Sequence, residues 1–286
     1  LGSIIDQFRD AMTAAGIPFN GTINPDAGKV SRFTVEGDRP RSMTGWYVLY
    51  TDGIPAGEFG CWKRGLQSTW CAVSPNEITP AEREAIEKRR KANEAARKAA
   101  EAEVHKEAAD AAQIMWEASE PATEHPYLTR KGIGVHGARV TGDGRLVVPL
   151  YGQDGHLSSL QYIAHDGSKL YHPGAQTGGK FWMVGTMDEP GTLFVAEGFA
   201  TAATIHETTG RPCVVSYSAS SLVPVTGTLR EMYGATQDIV IVADNDKSGV
   251  GQKSADQASA KFGARVVIPP IEGMDANDYA QAGHDL

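Results

Sequence analysis

The chain has 286 residues, of which 27 are basic and 35 acidic, so its formal net charge is −8 at pH 7. Hydrophobic residues make up 41% and charged residues 22%, which is typical of soluble globular proteins and argues against wholesale disorder. No apolar run approaches the roughly 20 residues that span a bilayer, and no secretory signal is visible. We therefore expect a cytoplasmic protein without a membrane partner. The acidic total argues against nucleic-acid binding through bulk charge, although it permits a local basic groove.

The three cysteines, Cys61, Cys71 and Cys213, are an odd number of thiols at unrelated spacings. They predict neither a disulfide framework nor a CxxC zinc site. None of the eight histidines pairs with a cysteine at the spacing of a zinc finger. We therefore expect a reducing compartment and no zinc.

Residues 1–76 form the first predicted module, which is small, aromatic-rich and mostly β. A helix is predicted over residues 4–15, where apolar residues recur at helical spacing before Gly16. Strands are predicted over residues 32–36, 45–50 and 58–62, and Asp52-Gly53 is a good hairpin turn between the last two.

The aromatic residues of this module have two interpretations. They could stack on the bases of a template beside neighbouring cations, or they could pack as an ordinary core, and core packing is favoured. The aromatic residues are Trp46, Tyr47, Phe59, Trp62 and Trp70, and the cations are Arg32, Arg39, Arg41, Lys63 and Arg64.

Residues 77–119 are predicted to form a long helical linker. Thr79-Pro80-Ala81-Glu82 is a capping box with proline at the first helical position, and no glycine or proline follows until after Ser119. The middle of this segment carries few large apolar residues, which indicates a solvated spacer. The basic cluster at 88–91 is interspersed with acids, so a self-paired surface is favoured over DNA binding.

The remainder of the chain predicts a compact α/β fold in two parts, residues 120–190 and 191–286. In the first part, residues 144–150 and 156–163 read as a β-hairpin. In the second part, strands are predicted over residues 192–196, 212–217, 238–243 and 264–268, and helices over 200–207, 225–233 and 252–262. Short Val/Ile-rich strands that alternate with helices indicate a parallel sheet with right-handed crossovers and flanking helices.

Acidic residues follow three of these predicted strands. Glu197 follows the first strand, Asp244 and Asp246 the third, and Asp275 and Asp278 the fourth. The carboxyl ends of parallel strands meet at one edge of a sheet, so these carboxylates are expected to converge. Converging carboxylates repel one another unless a hard divalent cation such as Mg²⁺ neutralises them. The alternative is that these acids merely cap helices, and three groupings favour the metal site.

The same motifs resemble the Toprim domain and, more narrowly, the primases of phages, plasmids and integrative elements. The matching segments are Val195-Ala196-Glu197-Gly198-Phe199-Ala200-Thr201-Ala202, Ala243-Asp244-Asn245-Asp246 with Gly249 and Gly251, and Asp275-Ala276-Asn277-Asp278-Tyr279. Upstream, residues 125–133 and 144–150 resemble the segment that precedes Toprim in these primases. In replicative bacterial primases the final acids are two residues apart, whereas Asp275 and Asp278 are three apart.

The resemblance implies that the chain synthesises short RNA primers on a single-stranded DNA template from ribonucleoside triphosphates. It implies Glu197, Asp244 and Asp246 as catalytic residues, with Mg²⁺ or Mn²⁺ held by these three together with Asp275 and Asp278. Residues 120–190 would form the N-terminal subdomain of the primase core, and residues 191–286 would form the Toprim catalytic domain. The resemblance also implies a replicative helicase as a partner.

Five basic residues lie in the part of the sequence that would face the acidic cluster. Arg130, Lys131, Arg145, Lys169 and Lys180 are therefore candidates for contacts with nucleotide and template phosphates. Ordinary surface charge is the alternative for each of them.

Three other functions compete with primer synthesis. A Toprim nuclease of the type that accompanies an ATPase is disfavoured, because residues 248–254 lack the ending of a phosphate loop. A type IA topoisomerase needs a further large domain with a nucleophilic tyrosine. A non-catalytic Toprim module that binds DNA or acts as a scaffold has no reason to hold so many mutually repelling carboxylates.

Overall fold

The structure is a computed structural model that describes residues 3–25, 29–51, 53–73 and 79–285. Its helices are α1 (Ile4–Ala14), α2 (Pro80–Ala118), α3 (Pro126–Lys131), α4 (Phe199–Thr209), α5 (Ala219–Tyr233), α6 (Val250–Phe262) and α7 (Ala276–Gln281). Its strands are β1 (Ser31–Phe33), β2 (Gly45–Tyr50), β3 (Ala56–Cys61), β4 (Leu66–Cys71), β5 (Glu120–Pro121), β6 (Arg139–Val140), β7 (Leu146–Tyr151), β8 (Leu157–Ile163), β9 (Lys169–Tyr171), β10 (Trp182–Val184), β11 (Leu193–Ala196), β12 (Cys213–Val215), β13 (Ile239–Val242) and β14 (Arg265–Val267). The chain divides into two compact units, Leu1–Ala102 and Glu103–Leu286.

The first unit contains an antiparallel sheet in the order β1-β2-β3-β4. Helix α1 begins at a capping box between Ser3 and Asp6, and it places Phe8 and Met12, one turn apart, in the core. Strand β4 was not predicted, because a short 3₁₀ turn ending at Gly65 separates it from β3. Asp52 of the predicted hairpin turn and the predicted boundary between residues 76 and 77 lie outside the described residues.

Helix α2 confirms the predicted long helix. Its capping box is formed, since the Glu82 amide donates to Thr79 Oγ1 at 3.3 Å and the Thr79 amide donates to Glu82 Oε2 at 2.8 Å. Ion pairs one turn apart along the helix support the interpretation of a self-paired surface. They join Arg90 to Glu87, Lys98 to Glu94 and Lys106 to Asp110.

The second unit begins with an antiparallel sheet in the order β5-β6-β7-β8-β9. The predicted hairpin is confirmed as β7 and β8, which pair antiparallel with a register shift at Leu150/Tyr151. Strand β7 is buried almost throughout, and Leu146, Val148 and Leu150 join a core cluster that also contains residues of α4. The two sheets of this unit therefore share one hydrophobic core.

The second sheet of this unit has the order β10-β12-β11-β13-β14, in which β11 to β14 are parallel and β10 is antiparallel. Successive residues of β11 pack on opposite sides. Ala196 belongs to a core cluster with α4, whereas Val195 belongs to a second cluster with residues of α5 and α6. This arrangement confirms the predicted α/β fold with a parallel sheet and flanking helices, to which the sheet adds an antiparallel edge strand.

Helix α5 begins six residues before its predicted start. The expectation placed the start at Val225, whereas the structure places it at Ala219 and carries the helix through Pro224. The predicted start was therefore wrong, because Pro224 lies in the second turn of this helix and does not begin it. The earlier start brings the first turn of the helix to the carboxyl end of β11, where it contacts the candidate site.

Candidate active site

The site begins where β11 and β13, neighbouring parallel strands, end side by side. Ala196 is the register partner of Val242, so Glu197 and Asp244 emerge at the same edge of the sheet. They meet Asp246 around Gly251, in the first turn of α6. A Cβ at Gly251 would lie 2.5 Å from Glu197 Oε1 and 3.6 Å from Asp246 Oδ2. Glycine is thus required for this close approach.

Glu197 and Asp244 each bury an oxygen without a hydrogen-bond partner, namely Oε1 of Glu197 and Oδ1 of Asp244. Burial, followed by the charges of Asp244 and Asp246, raises the pKa of Glu197 to about 7. Burial, followed by the charges of Asp275 and Asp246, raises the pKa of Asp244 to about 6. Two carboxylates that resist ionisation and have unpartnered oxygens are arranged to receive a cation.

Asp246 and Asp275 also have structural roles. Asp246 Oδ1 accepts from the amides of Ser248 at 2.7 Å and Gly249 at 3.0 Å, and the hydrogen bond from the Ser248 side chain is the main cause that lowers the pKa of Asp246. Asp275 is the N-cap of α7, where its Oδ1 accepts from the Asp278 amide at 2.8 Å. The capping interpretation therefore applies to Asp275, while Asp246 still directs Oδ2 towards Gly251.

Lys131 and Asp278 form an ion pair, with Lys131 Nζ 2.8 Å from Asp278 Oδ1. The adjacent Asn277 is buried and donates from Nδ2 to the Lys131 carbonyl and to Thr204 Oγ1, both at 2.8 Å. These bonds fix α3 against α7 and α4. They hold the basic end of α3 beside the acidic residues.

A cleft of about 470 Å³ adjoins the carboxylates. Its walls contain three of the predicted acidic residues and three of the predicted basic residues, namely Glu197, Asp244, Asp275, Arg130, Lys131 and Lys169. The structure thus brings most of the predicted site together. Asp246, Asp278, Arg145 and Lys180 do not line the cleft.

Lys169 directs its ammonium group towards the carboxylates. The residue as a whole is exposed on β9, but its Nζ would lie 3.9 Å from a Cβ at Gly198. Burial of the ammonium group, together with the charge of Lys131, lowers the pKa of Lys169, while Asp275 and Asp244 oppose this effect. A desolvated cation at this position is suited to contact an anionic ligand in the cleft.

Two of the predicted basic residues have other surroundings. Arg145 is paired with Asp143 through Nε at 2.9 Å, and its guanidinium lies 4.4 Å from the centroid of the Tyr162 ring. Lys180 Nζ lies near Gly152, where it would be 3.4 Å from an added Cβ, and its charge acts on Asp154. For these two residues the geometry favours the surface-charge interpretation.

Sequence reasoning missed three tyrosines and a glutamine in the walls of the cleft, namely Tyr127, Tyr171, Tyr217 and Gln161. The Tyr171 hydroxyl donates to the Tyr217 carbonyl at 2.8 Å and so joins β9 to the end of β12. The Tyr127 hydroxyl is buried without a partner, and burial raises its pKa to about 12. Tyr127 could have been found, since it lies in the segment at 125–133 that resembles primases.

The carboxylate oxygens of Glu197 and Asp244 are the type of ligand that a hard divalent cation prefers. Among the residues that the structure describes, no group of three or more His, Cys, Asp or Glu side chains is placed to hold one metal ion. Mg²⁺, however, is commonly held by one or two carboxylates and completed by water and substrate phosphates. Glu197 and Asp244, with their unpartnered buried oxygens, provide such a pair.

Within the described part of the chain, no helix is both long enough and apolar enough to cross a membrane.

Comparison with known proteins supports the sequence-based resemblance. Residues 192–285 match the Toprim domain family, which confirms the predicted resemblance to that domain. Two curated relatives from Escherichia coli, both named DNA primase TraC, are 30% and 29% identical over 279 and 287 residues. Each alignment covers 92% of this chain but only 26% and 19% of the relatives, so the chain spans about a quarter or a fifth of their length.

Among solved structures, the primase fragment of the bacteriophage T7 primase-helicase protein is 21% identical. The match has a TM-score of 0.46 and covers 58% of this chain and 73% of that chain.

Proposed function

We propose that this chain, which contains a Toprim domain and resembles plasmid primases along most of its length, synthesises short RNA primers by metal-dependent nucleotidyl transfer. The substrates would be ribonucleoside triphosphates and a single-stranded DNA template. The observation that carries the proposal is the pair of unpartnered buried oxygens on Glu197 and Asp244, two residues that line the same cleft as Lys169.

In this proposal the acidic residues hold Mg²⁺ or Mn²⁺. Glu197 and Asp244 would be the main ligands, and Asp246, Asp275 and Asp278 would contribute negative charge beside them. When bound, the cation would neutralise triphosphate oxygens and stabilise charge on the attacking hydroxyl and the leaving pyrophosphate.

The protein's own cations would orient the triphosphate. Lys169 and Arg130 line the cleft, and a phosphate between Lys169 and a cation on Asp244 would be neutralised from both sides. Lys131 forms an ion pair with Asp278, so we propose that it holds α7 in position.

Glu197 has a second possible role as general base. A carboxyl group with a pKa of about 7 can accept a proton at neutral pH, whereas an ordinary glutamate is a weaker base. A pH–rate profile at saturating Mn²⁺ distinguishes the roles, because a general base gives an activity limb at its pKa in the metal-bound protein and a saturated metal ligand does not.

The domain roles follow from where these residues lie. We propose residues 191–286 as the catalytic domain, because they carry all five acids. Residues 120–190 would act with them as the N-terminal subdomain of the primase core, because they supply Arg130 and Lys169. A replicative helicase is the further partner that we propose.

The direct test incubates the full chain with single-stranded DNA, labelled ribonucleotides and Mg²⁺, and follows RNA products and template length separately. Short RNA with intact template supports the proposal. Shortened template without RNA would instead indicate a Toprim nuclease, and DNA binding without either product would indicate a non-catalytic module.

A further inference from the structure

The antiparallel sheet of the first unit has one face that does not belong to the hydrophobic core. Alternation along β2 places Tyr47 and Leu49 in the core with α1, and Trp46 and Val48 on the opposite face. The opposite face borders a groove of about 550 Å³, which Ile86 and other residues of α2 also line. This groove is not used by the chemistry proposed for the second unit.

Two tryptophans and an arginine lie against one another beside this groove. The ring centroids of Trp46 and Trp62 are 5.8 Å apart with the rings tilted by 31°, and the Arg32 guanidinium lies 4.3 Å from the Trp62 ring centroid. Trp46 on β2 is the register partner of Arg32 on β1 and of Gly60 on β3. A Cβ at Gly60 would lie 2.7 Å from Trp46 Nε1, so the glycine lets the indole lie close to β3.

Trp62 remains 53% exposed, which is a large apolar surface to leave in water. Trp46 and Trp62 thus form an open aromatic surface, whereas Tyr47 and Phe59 are buried in the core. Core packing therefore accounts for Tyr47 and Phe59, and for Trp70, which packs against Phe8, but it does not account for the exposed Trp62.

Further cations lie in the segments of chain next to the exposed tryptophan. The Trp62 amide donates to the Thr44 carbonyl at 3.2 Å, which joins it to the loop between β1 and β2. Arg39 and Arg41 are exposed on that loop, and Lys63 follows Trp62 directly. Lys63 is paired with Asp38 at 2.7 Å, while its side chain stays 58% exposed.

We propose that Trp46, Trp62 and Arg32 form a base-stacking site for single-stranded DNA, here called the tryptophan face. Bases would stack on the exposed Trp62, and the phosphates would follow Arg39 and Arg41. This combination of flat aromatic rings and flanking cations matches the faces and charges of a nucleotide chain. A purely apolar ligand would have no use for the cations.

The groove also contains a carboxylate and an amide side chain. Gln67 Nε2 donates to Glu58 Oε1 at 2.5 Å, and both residues line the groove. A carboxylate and an amide there can pair with the donors and acceptors of a base, whereas phosphates would be repelled towards the arginines of the loop.

The test measures binding of a fluorescent oligo(dT) of roughly 12 nucleotides to the full chain, by anisotropy, without nucleotides or divalent cations. Trp62→Ala should weaken binding about tenfold, and Trp62→Tyr should restore most of it, because stacking needs an aromatic face. The matched control is Leu66→Ala, which trims an exposed apolar residue of the same unit outside the groove and should bind as wild type. Circular dichroism checks that each variant is folded.

A second measurement separates stacking from charge. Arg39→Gln should reduce the slope of log affinity against log salt by about one, whereas Trp62→Ala should leave that slope unchanged. Absence of oligo(dT) binding by the wild-type chain, or equal binding by wild type and folded Trp62→Ala, would overturn the proposal. Because the assay contains no divalent cation and no ribonucleotide, its result does not require the nucleotidyl transfer proposed for the cleft.

Discussion

Lys131 Nζ and Asp278 Oδ1 are 2.8 Å apart, so an ion pair joins α3 to α7 across 147 positions of sequence. The pair connects a residue predicted to contact phosphate with a residue predicted to bind metal. Each therefore offsets the charge of the other. The structure thus gives the five predicted acids different surroundings: Glu197 and Asp244 keep unpartnered oxygens, and Asp278 has a cation of its own.

The first prediction follows from this difference in surroundings. Asp278→Asn should reduce primer synthesis by less than about tenfold, because Asn keeps the shape of α7 and Asp278 is already neutralised. Asp244→Asn should reduce synthesis by about a hundredfold or more, since it removes a charge from the position proposed for the cation. Initial rates at several Mg²⁺ concentrations test the ranking. Equal losses in the two variants would contradict it.

The second prediction concerns stability and pH. The pKa of Glu197 is raised from 4.5 to about 7, so the folded state holds this proton more tightly than the unfolded chain does. The resulting stabilisation is complete below about pH 4.5 and is lost as pH rises through about 7. Glu197→Gln should therefore unfold at a higher denaturant concentration than wild type at pH 8 without divalent cations. The difference should be on the order of 2 kcal/mol.

Near pH 5 the same two proteins should have similar stability, because the wild-type carboxyl is then protonated. Mg²⁺ should stabilise wild type at pH 8 more than it stabilises the variant. A stability difference that is the same at pH 5 and pH 8 would show that charge at Glu197 is not its cause.

Much of the architecture could be predicted from sequence, because each signal was local. The capping box at Thr79 and the short apolar runs of β11 and β13 predicted their elements by composition and period. The edge at which Glu197 and Asp244 meet then followed from the rule that parallel strands end together.

What could not be predicted depends on tertiary packing. The pairing of Lys131 with Asp278 needs α3 to lie against α7, and nothing within either segment specifies that contact. Likewise, Lys169 and Lys180 look alike in sequence. The ammonium group of Lys169 reaches the cleft because β9 pairs with β8, while Lys180 lies outside its walls.

The third prediction uses these two lysines as a matched pair. Lys169→Ala should weaken ribonucleotide binding by about tenfold and make its salt dependence shallower, because it removes a cation from the cleft. Lys180→Ala removes the same charge outside the cleft walls and should bind nucleotide as wild type does. Calorimetric titration with a non-hydrolysable ribonucleotide at several salt concentrations tests this. Equal effects of the two substitutions would assign both lysines to general surface charge.

The fourth prediction concerns the buried amide that holds α7. Asn277→Ala should lower the free energy of unfolding by about 1–3 kcal/mol, because Asn277 is 1% exposed and the substitution removes its bonds to the Lys131 carbonyl and Thr204. Gln281→Ala is the control on the same helix. It removes a bond to the Arg130 carbonyl at 2.9 Å in an exposed setting and should cost less than about 1 kcal/mol. Urea unfolding measures both variants, and an equal loss of unfolding free energy in the two would contradict this prediction.

We propose that RNA synthesis in the second unit depends on the carboxylates at the ends of β11 and β13. The most direct measurement compares wild type with folded Asp244→Asn for template-dependent incorporation of labelled ribonucleotides in the presence of Mg²⁺. Wild type should produce short RNA, and the variant should lose about a hundredfold or more of this activity with unchanged circular dichroism. RNA at the wild-type rate from folded Asp244→Asn would contradict it.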